Sequence, residues 1–363
     1  MKTMHSDDVI FLLGAGASCN AGLLSSAAMT KDLESKLLHD PEWTEYYDLY
    51  RAVKSAIVHG HIFRNPCGAI ESDINIEEFV NVLTELSSYD EHTIYPFVAS
   101  WNVELVKYAG EDFEKLVKFR DKIIVHLANH WVHFKNVRQA AYYKGLLKFA
   151  RQTNGQLWVF SLNYDLCVEE SCGRENVYSG FEEDPETHQS VWNVKRMLGE
   201  DAVSQGIRLF KLHGSLDWRL NAKKQLICED HPETSSNAKD YQLIFGTRNK
   251  LRYDDPYLVP LYLFRQKVHD ARLIICIGYS FGDEHINAML VHAMKQDPKA
   301  RLLSVTQCDN EYADGKYKDS VVAKLQVSSD RVDVQCLGAA KFLGETLDIE
   351  FVRKLMPDDE APF

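Results

Sequence analysis

Residues 9–18 read Val-Ile-Phe-Leu-Leu-Gly-Ala-Gly-Ala-Ser, an apolar run that ends in a glycine-containing loop. The five apolar residues Val9–Leu13 predict a buried strand, because strands covered on both faces are uninterrupted apolar runs. The strand leads directly into the glycine loop Gly14-Ala15-Gly16-Ala17-Ser18, and a helical pattern follows from about Ser26 to Leu38. A strand, a glycine turn and a helix in this order predict the first unit of an α/β sheet.

Five further apolar runs predict the rest of that sheet. They are Leu157–Leu162, Ile207–Leu212, Leu273–Ile277, Leu302–Thr306 and Val332–Cys336. Helical patterns intervene, notably at Tyr257–Asp270 and Glu284–Met294. The alternation predicts a Rossmann-like parallel sheet with helices on both faces.

Between about Trp43 and Ala150 the pattern is helical throughout, with apolar residues on one face of each predicted helix, as at Ile76, Phe79, Val80 and Leu83. We therefore expect a discontinuous sheet domain at 1–40 and 151–356, interrupted by an inserted all-helical module at 41–150. Residues 221–239 are polar and predict a loop, and residues 357–363 predict an acidic tail.

Composition excludes several classes of protein. The chain has 363 residues of which 45% are hydrophobic, enough apolar material for a folded core rather than a disordered chain. Its net charge of -12, from 41 basic and 53 acidic residues, argues against a broad duplex-binding surface built on phosphate contacts. No apolar run approaches the roughly 20 residues of a membrane-spanning helix. Small molecules or other proteins remain as partners.

The cysteines and the N-terminus favour the cytoplasm. Eight cysteines without a C-x-x-C pair do not form a disulfide scaffold, and we expect Cys276 and Cys336 to be reduced and buried in strands. Asp7 and Asp8 stand where a secretory leader carries positive charge, and the apolar run after them is shorter than a leader requires.

The loop Gly14–Ser18 is the first candidate binding segment. Glycines at a strand-to-helix junction let backbone N–H groups approach a phosphate, which the helix N-terminus also attracts. The dinucleotide fingerprint would need glycine at position 19, which is Cys19, and no Lys-Ser or Lys-Thr pair follows as in a P-loop. A tight turn that needs small residues is the alternative.

Polar residues follow the other predicted strands. Asn163 and Asp165 come after the second strand, where an Asx turn or a helix cap is the alternative to ligand binding. His213 follows the next strand and can act as a base or an acid near neutral pH. The segment Gly278–His285 predicts a second ligand-facing turn, unless Asp283 merely caps the helix after it.

Two histidine patterns raise the question of a metal. His126, His130 and His133 are spaced to share one helical face, but a solvated face explains them without zinc. Cys228 and His231 supply two potential ligands, whereas a structural zinc needs four. We expect no metal.

In their order along the chain, these segments resemble the sirtuin-like superfamily, and more closely its bacterial branch of short sirtuin-like effectors than the protein deacylases. The segments that carry the resemblance are Gly14–Ser18 with Gly22, Leu162–Asp165, Lys211–Trp218 and Gly278–Asn287. It implies that the first glycine loop holds the NAD pyrophosphate, at Gly14, Ala15, Gly16 and Ser18.

The resemblance also implies roles for the polar residues. Asn163 would engage the nicotinamide ribose or orient water, and His213 would be the catalytic histidine. Gly278 and Ser280 would lie near the phosphates and the adenosine ribose. Asp165 matches an acidic position in the same site.

Two departures separate the chain from deacylases. The Cys₄ zinc ribbon is missing, with only Cys228 in its region, and Leu23–Ala27 replaces the usual Phe-Arg pair. The resemblance then implies a cytoplasmic NAD glycohydrolase that takes NAD as substrate and acts as a triggered, NAD-depleting antiphage effector. It also implies a homo-oligomer with a partner such as a motor ATPase, an Argonaute-type protein or a nucleotide sensor. An NAD-dependent deacylase and a non-catalytic nucleotide or ADP-ribose sensor are the alternatives.

Overall fold

A computed structural model describes most of the chain. The described residues are 5–64, 74–87, 103–110, 113–134, 136–153, 155–198, 206–230, 232–245, 255–308 and 311–357. The expected acidic tail, apart from Pro357, lies outside them, as does His231. The chain divides into two compact units, one of residues 1–23, 133–233 and 251–363, the other of residues 24–132 and 234–250. The domain limits inferred from the sequence stay a prediction.

Eleven strands are described, all of them in the first unit. They are β1 (Val9–Leu13), β2 (Gln156–Ser161), β3 (Val177–Tyr178), β4 (Phe181–Glu183), β5 (Ser190–Trp192), β6 (Gly206–Lys211), β7 (Trp218–Leu220), β8 (Leu226–Cys228), β9 (Leu273–Ile277), β10 (Arg301–Thr306) and β11 (Val332–Cys336).

Seven strands form one parallel sheet in the order β11-β10-β9-β1-β2-β6-β3. Six of them are the apolar runs predicted from the sequence, and the α/β class is confirmed. Alternate residues of β1 point to opposite faces: Phe11 packs in one apolar cluster and Leu12 in the other. Each cluster includes residues of flanking helices, so both faces of the sheet are covered.

The other four strands form a small antiparallel sheet in the order β4-β5-β8-β7. The expectation of a loop at residues 221–239 is therefore wrong in part, because β8 lies within it. Its three residues are too short for a period-2 pattern to stand out from the polar residues around them. The segment forms strand β8 because it pairs with β5 and β7.

The main helices of the first unit flank the sheet, and the predicted Tyr257–Asp270 and Glu284–Met294 are both present. They are Ala15–Ala21 (3-10), Val137–Tyr143 (3-10), Lys144–Gln152, Cys167–Cys172, Val194–Leu198, Leu258–Asp270, Glu284–Gln296, Glu311–Leu325, Ala339–Lys341, Phe342–Thr346 (π) and Ile349–Leu355. Among the described helices, none combines the length and the hydropathy that a membrane-spanning segment requires.

The described part of the second unit is helical. Its main helices are Ser26–His39, Tyr47–Arg64, Ile76–Ser87, Val103–Ala109, Glu114–His126 and Leu127–Trp131 (π). The predicted apolar face of the third helix is buried, and Phe79 packs edge-on against Phe119 with ring centroids 5.8 Å apart.

A disulfide joins Cys308 to Cys336. The expectation that Cys336 is a reduced, buried residue is thus wrong: it is half-buried at the end of β11. The parallel register pairs Thr306 of β10 with Cys336, so the chain that leaves β10 carries Cys308 beside it. Sequence spacing does not show this proximity, because the two cysteines are 28 residues apart. Cys276 is free and buried, as predicted.

Candidate active site

The strand order places a topological switch point between β1 and β9. From β1 the sheet continues to β2 and β6 on one side, and from β9 to β10 and β11 on the other. Ligands of open α/β sheets bind outside the carboxyl ends of the strands at such a point. The two predicted glycine turns, after β1 and after β9, meet there.

The two turns pack backbone against backbone. Gly14 N–H donates to the Ile277 carbonyl and Gly16 N–H to the Gly278 carbonyl, both at 2.9 Å. A Cβ on Gly278, whose φ is +61°, would lie 2.1 Å from Ala17 N. A Cβ on Gly14 would lie 2.6 Å from the Gly278 carbonyl oxygen. The glycines are therefore needed for close packing, and two amides expected to face a phosphate are used inside the protein.

A buried hydrogen-bond network lies under the first glycine loop. Ser18 Oγ donates to Asp165 Oδ2 at 2.7 Å and is 2.9 Å from the Tyr143 hydroxyl. Asn163 Nδ2 donates to the Gly14 carbonyl at 2.9 Å and to Ser18 Oγ at 3.2 Å. Burial, with the Asp165 charge adding, raises the pKa of Tyr143, which therefore stays a hydroxyl. The network ties the loop after β2 to the loop after β1.

Asp165 also forms the Asx turn that the sequence left open. Its Oδ1 accepts from Cys167 N–H at 3.0 Å, at the start of the helix Cys167–Cys172. Its other oxygen accepts from Ser18. The carboxylate thus fixes both a helix start and the glycine loop.

His213 lies just beyond β6 and is buried against an acidic residue. Its Nε2 is 3.3 Å from Asp283 Oδ2, and both side chains are less than a tenth exposed. Asp283 caps the helix Glu284–Gln296, with Oδ1 accepting from His285 N–H at 3.0 Å and from Ile286 N–H at 3.2 Å. The sequence indicated the capping role of Asp283, but not that its other oxygen, Oδ2, lies beside His213. A carboxylate at this distance can fix the orientation of the imidazole ring.

Lys211 is a further buried residue that sequence reasoning did not single out. Its Nζ donates to the backbone carbonyls of Asp165 and Asn163 and is 3.2 Å from Glu169 Oε1. Burial lowers the pKa of Lys211, but the Glu169 carboxylate and its acidic neighbours outweigh it and raise the pKa. The only sequence signal was a lysine at the buried end of an apolar strand.

The remaining predicted binding residues lie on the outer side of the junction. Ala15 and Gly278 are half-buried and Ser280 is exposed. Lys324 Nζ donates to the Ser280 carbonyl at 2.9 Å. The structure thus brings the first glycine loop, Asn163, Asp165 and Gly278 into contact, while His213 contacts Asp283, three residues after Ser280.

The three-histidine face expected from spacing is not formed. The helix Glu114–His126 continues only as a π turn to Trp131, so His133 lies past its end. The rings of His126 and His130 are 4.5 Å apart, and burial, with the His130 charge adding, lowers the pKa of His126 to about 4. Cys228 Sγ donates to Asp217 Oδ2 at 3.1 Å. In the ranges that the structure describes, no three His, Cys, Asp or Glu side chains are grouped to hold a metal ion.

Comparisons with known proteins bear on the same region. Residues 158–327 match the family model of the SIR2-like domain. No curated protein matches the chain. A solved Sir2 homologue–NAD complex is similar at 11% identity with a TM-score of 0.39, over 96% of this chain and 88% of that chain. A mutant Sir2 homologue in complex with ADP-ribose is similar at 10% identity with a TM-score of 0.42, over 95% and 92%.

The matched segment begins in β2 and contains Asn163, Asp165, His213 and the Gly278 turn. The first glycine loop lies before it in sequence and contacts it through Asn163 and Gly278. Residues 158–327, a little less than half of the chain, are therefore similar to the SIR2-like domain.

Proposed function

We propose that the chain is an NAD glycohydrolase, which cleaves the bond between nicotinamide and ribose to give nicotinamide and ADP-ribose. The observation that carries the proposal is the buried pair of His213 and Asp283 at the carboxyl end of the sheet, beside the junction of the two glycine turns. The similarity of residues 158–327 to the SIR2-like domain supports NAD as the substrate.

The reaction needs a water molecule, a base and a stable leaving group. Water oxygen forms a bond to the ribose carbon C1′, and the carbon–nitrogen bond breaks with its electron pair leaving on nicotinamide. The water proton goes to His213. In the tautomer that carries its proton on Nε2, 3.3 Å from Asp283 Oδ2, Nδ1 is the ring nitrogen that accepts it. Asp283 then stabilises the imidazolium.

Asn163 would position the water or the ribose. Its side-chain NH₂ already donates to the Gly14 carbonyl and to Ser18 Oγ. The side-chain oxygen Oδ1 is therefore the atom proposed to accept a hydrogen bond from the ligand. The pyrophosphate would lie on the exposed side of the junction, against Ala15 and Ser280, because the Gly14 and Gly16 amides donate to the other turn. Ser18 and Asp165 would act beneath the loop, holding its shape.

The proposed biological role rests on the resemblance to bacterial effectors. Such an enzyme would deplete NAD in the cytoplasm when a phage infects the cell, and would work as an oligomer or with a partner such as a motor ATPase, an Argonaute-type protein or a nucleotide sensor. Identifying the neighbouring genes and purifying the chain with their products tests this role.

Nicotinamide release from NAD by purified protein tests the activity, with and without the neighbouring gene product. We expect release without any acyl-lysine peptide. Release that requires such a peptide would indicate a deacylase, and NAD binding without any release would indicate a sensor. Intact NAD at high enzyme concentration, with the partner present, counts against the proposal.

Two substitutions test the site. His213→Ala should lower the rate by roughly two to four orders of magnitude while sparing most NAD binding. Asp283→Asn should lower it less, by disturbing the orientation of the imidazole. His285→Ala is the matched control, since its side chain belongs to the same helix turn and has no proposed role. Normal turnover in His213→Ala would show that the site is assigned wrongly.

A further inference from the structure

A groove in the first unit is lined by none of the residues proposed to bind NAD. Its volume is about 630 Å³, within the roughly 300–1,000 Å³ that is usual for small-molecule sites. One wall is the helix Lys144–Gln152 together with Tyr142 before it. The other walls are Cys172, at the end of the helix Cys167–Cys172, and Gly344 of the π turn Phe342–Thr346. The groove is therefore large enough for a small organic molecule.

Three basic side chains line this groove, and no Asp or Glu among the described residues does. Lys144, Lys148 and Arg151 are four and three residues apart, so they share one helical face over about 10 Å. All three are exposed, and none forms an ion pair or a side-chain hydrogen bond in the part of the chain that the structure describes. Glu345 follows Gly344 but does not line the groove. In a chain with a net charge of -12, this concentration of unneutralised positive charge favours an anionic ligand.

The charge of Lys144 acts on another wall of the groove. Burial raises the pKa of the Cys172 thiol to about 12, and the Glu169 charge adds to this rise, whereas the Lys144 charge opposes it. Lys144 is therefore close enough to Cys172 to act on its thiol. Glu169 itself is buried and lies 3.2 Å from Lys211 Nζ, so its charge is already compensated.

Close packing fixes the shape of the groove. A Cβ on Gly145 would lie 1.9 Å from the Leu343 carbonyl oxygen, so the helix Lys144–Gln152 packs backbone against backbone on the π turn. Cys172 Sγ donates to the Tyr143 carbonyl at 3.4 Å, which ties the end of its helix to the start of the same wall. A ligand would thus meet a groove that is already formed, and its binding would not have to order these walls.

We propose that this groove binds a small phosphorylated molecule, whose phosphate groups contact Lys144, Lys148 and Arg151. A guanidinium group binds phosphate through two parallel hydrogen bonds, and the lysines add compact positive charges. Tyr142 and Leu147 supply apolar surface for the organic part of the molecule. Three cations are few for a nucleic acid, since such sites commonly make about 6–10 phosphate contacts. The proposal does not depend on NAD hydrolysis, so either proposal can fail without the other.

Titration calorimetry of the full chain with inorganic triphosphate tests the proposal. At low ionic strength we expect one triphosphate per chain with a Kd of about 100 μM or tighter, and weaker binding as salt screens the exposed charges. Inorganic phosphate should bind at least roughly tenfold more weakly, because it cannot reach all three cations. Absence of triphosphate binding, or equal binding of phosphate and triphosphate, would overturn the proposal. Tighter binding of hexaglutamate or of a short single-stranded oligonucleotide would overturn it as well, since the groove would then suit an acidic peptide or a nucleic acid.

Charge reversal locates the bound triphosphate. The double variant Lys148→Glu with Arg151→Glu should weaken binding by about tenfold or more. Lys195→Glu with Lys295→Glu is the matched control, because it changes the net charge equally on exposed side chains of the same unit that do not line the groove. We expect this control to weaken binding by less than about threefold. An equal loss in both double variants would show a general effect of net charge and refute the site.

Gly344→Glu tests the wall on the π turn. A Cβ on Gly344 meets no atom within 4 Å, so we expect the variant to fold. Its carboxylate adds repulsion at the groove and should weaken triphosphate binding by about threefold or more. Unchanged binding in folded Gly344→Glu would place the anion on the open face of the helix and refute the groove.

Discussion

Replacing Gly278 by alanine tests the backbone packing at the switch point. The new Cβ would lie 2.1 Å from Ala17 N and 2.3 Å from the Gly16 carbonyl carbon. Real Cβ contacts shorter than 3.0 Å essentially do not occur, so the loop must move by nearly 1 Å. The φ of +61° adds the cost of a left-handed non-glycine residue, about 1 kcal/mol.

Overpacking of this kind costs about 1–3 kcal/mol, so we expect Gly278→Ala to lower the free energy of unfolding by about 2–4 kcal/mol. At roughly 2–4 °C per kcal/mol, this corresponds to a fall in Tm of about 5–15 °C by calorimetry. NAD turnover should fall by on the order of 100-fold, because the displaced loop carries the proposed pyrophosphate site.

Gly282→Ala is the matched control in the same turn. Its Cβ would meet only Ser280 Oγ, at 3.4 Å, which is an ordinary contact with a small movable side chain. We expect a change in Tm of less than about 2 °C, in line with a surface substitution. If Gly278→Ala matches the wild type in Tm and turnover, the packing argument is refuted.

Three further predictions concern buried polar groups. Lys211→Met should lower the free energy of unfolding in urea by about 3–5 kcal/mol, because it leaves the Glu169 carboxylate uncompensated. Adding Glu169→Gln should recover part of that loss. If the losses of the two single variants simply add in the double variant, the two side chains do not interact. Ser18→Ala should cost about 1–3 kcal/mol in the same assay, since Asp165 Oδ2 loses its donor, and a neutral result would argue against the network. His126, with its pKa lowered to about 4, is neutral when folded, so its stabilising contribution is full above pH 6.5 and is lost as the pH falls toward 4. His126→Gln should reduce that acid loss by on the order of 1–2 kcal/mol, allowing for solvent screening, and an unchanged pH profile would contradict this.

The strands show which parts of the fold can be predicted from the sequence alone. Buried parallel strands such as β1 and β9 are uninterrupted apolar runs bounded by glycine, so local pattern is enough to find them. The small antiparallel sheet cannot be predicted in this way, because each of its strands has only three residues. A strand of that length has no readable period, and its existence depends on partners distant in sequence.

The candidate site divides in the same way. Its glycine turns and polar residues are visible in sequence because each stands at the end of an apolar run, and all such ends share one edge of a parallel sheet. The pairing of His213 with Asp283 is not visible, because it depends on β6 and β9 lying in the same sheet with β1 and β2 between them.

The sequence alone predicts the α/β class, six of the seven strands of the parallel sheet and the polar segments that follow them. These are local properties, fixed by apolar runs and by residues that end them. Three contacts become visible only in the tertiary structure. The backbones of Gly14 and Gly16 pack against the backbone of Gly278, and Lys211 is buried beside Glu169. Cys308 forms a disulfide with Cys336. Those contacts join residues far apart in the chain, so only the strand order and register bring their atoms within reach.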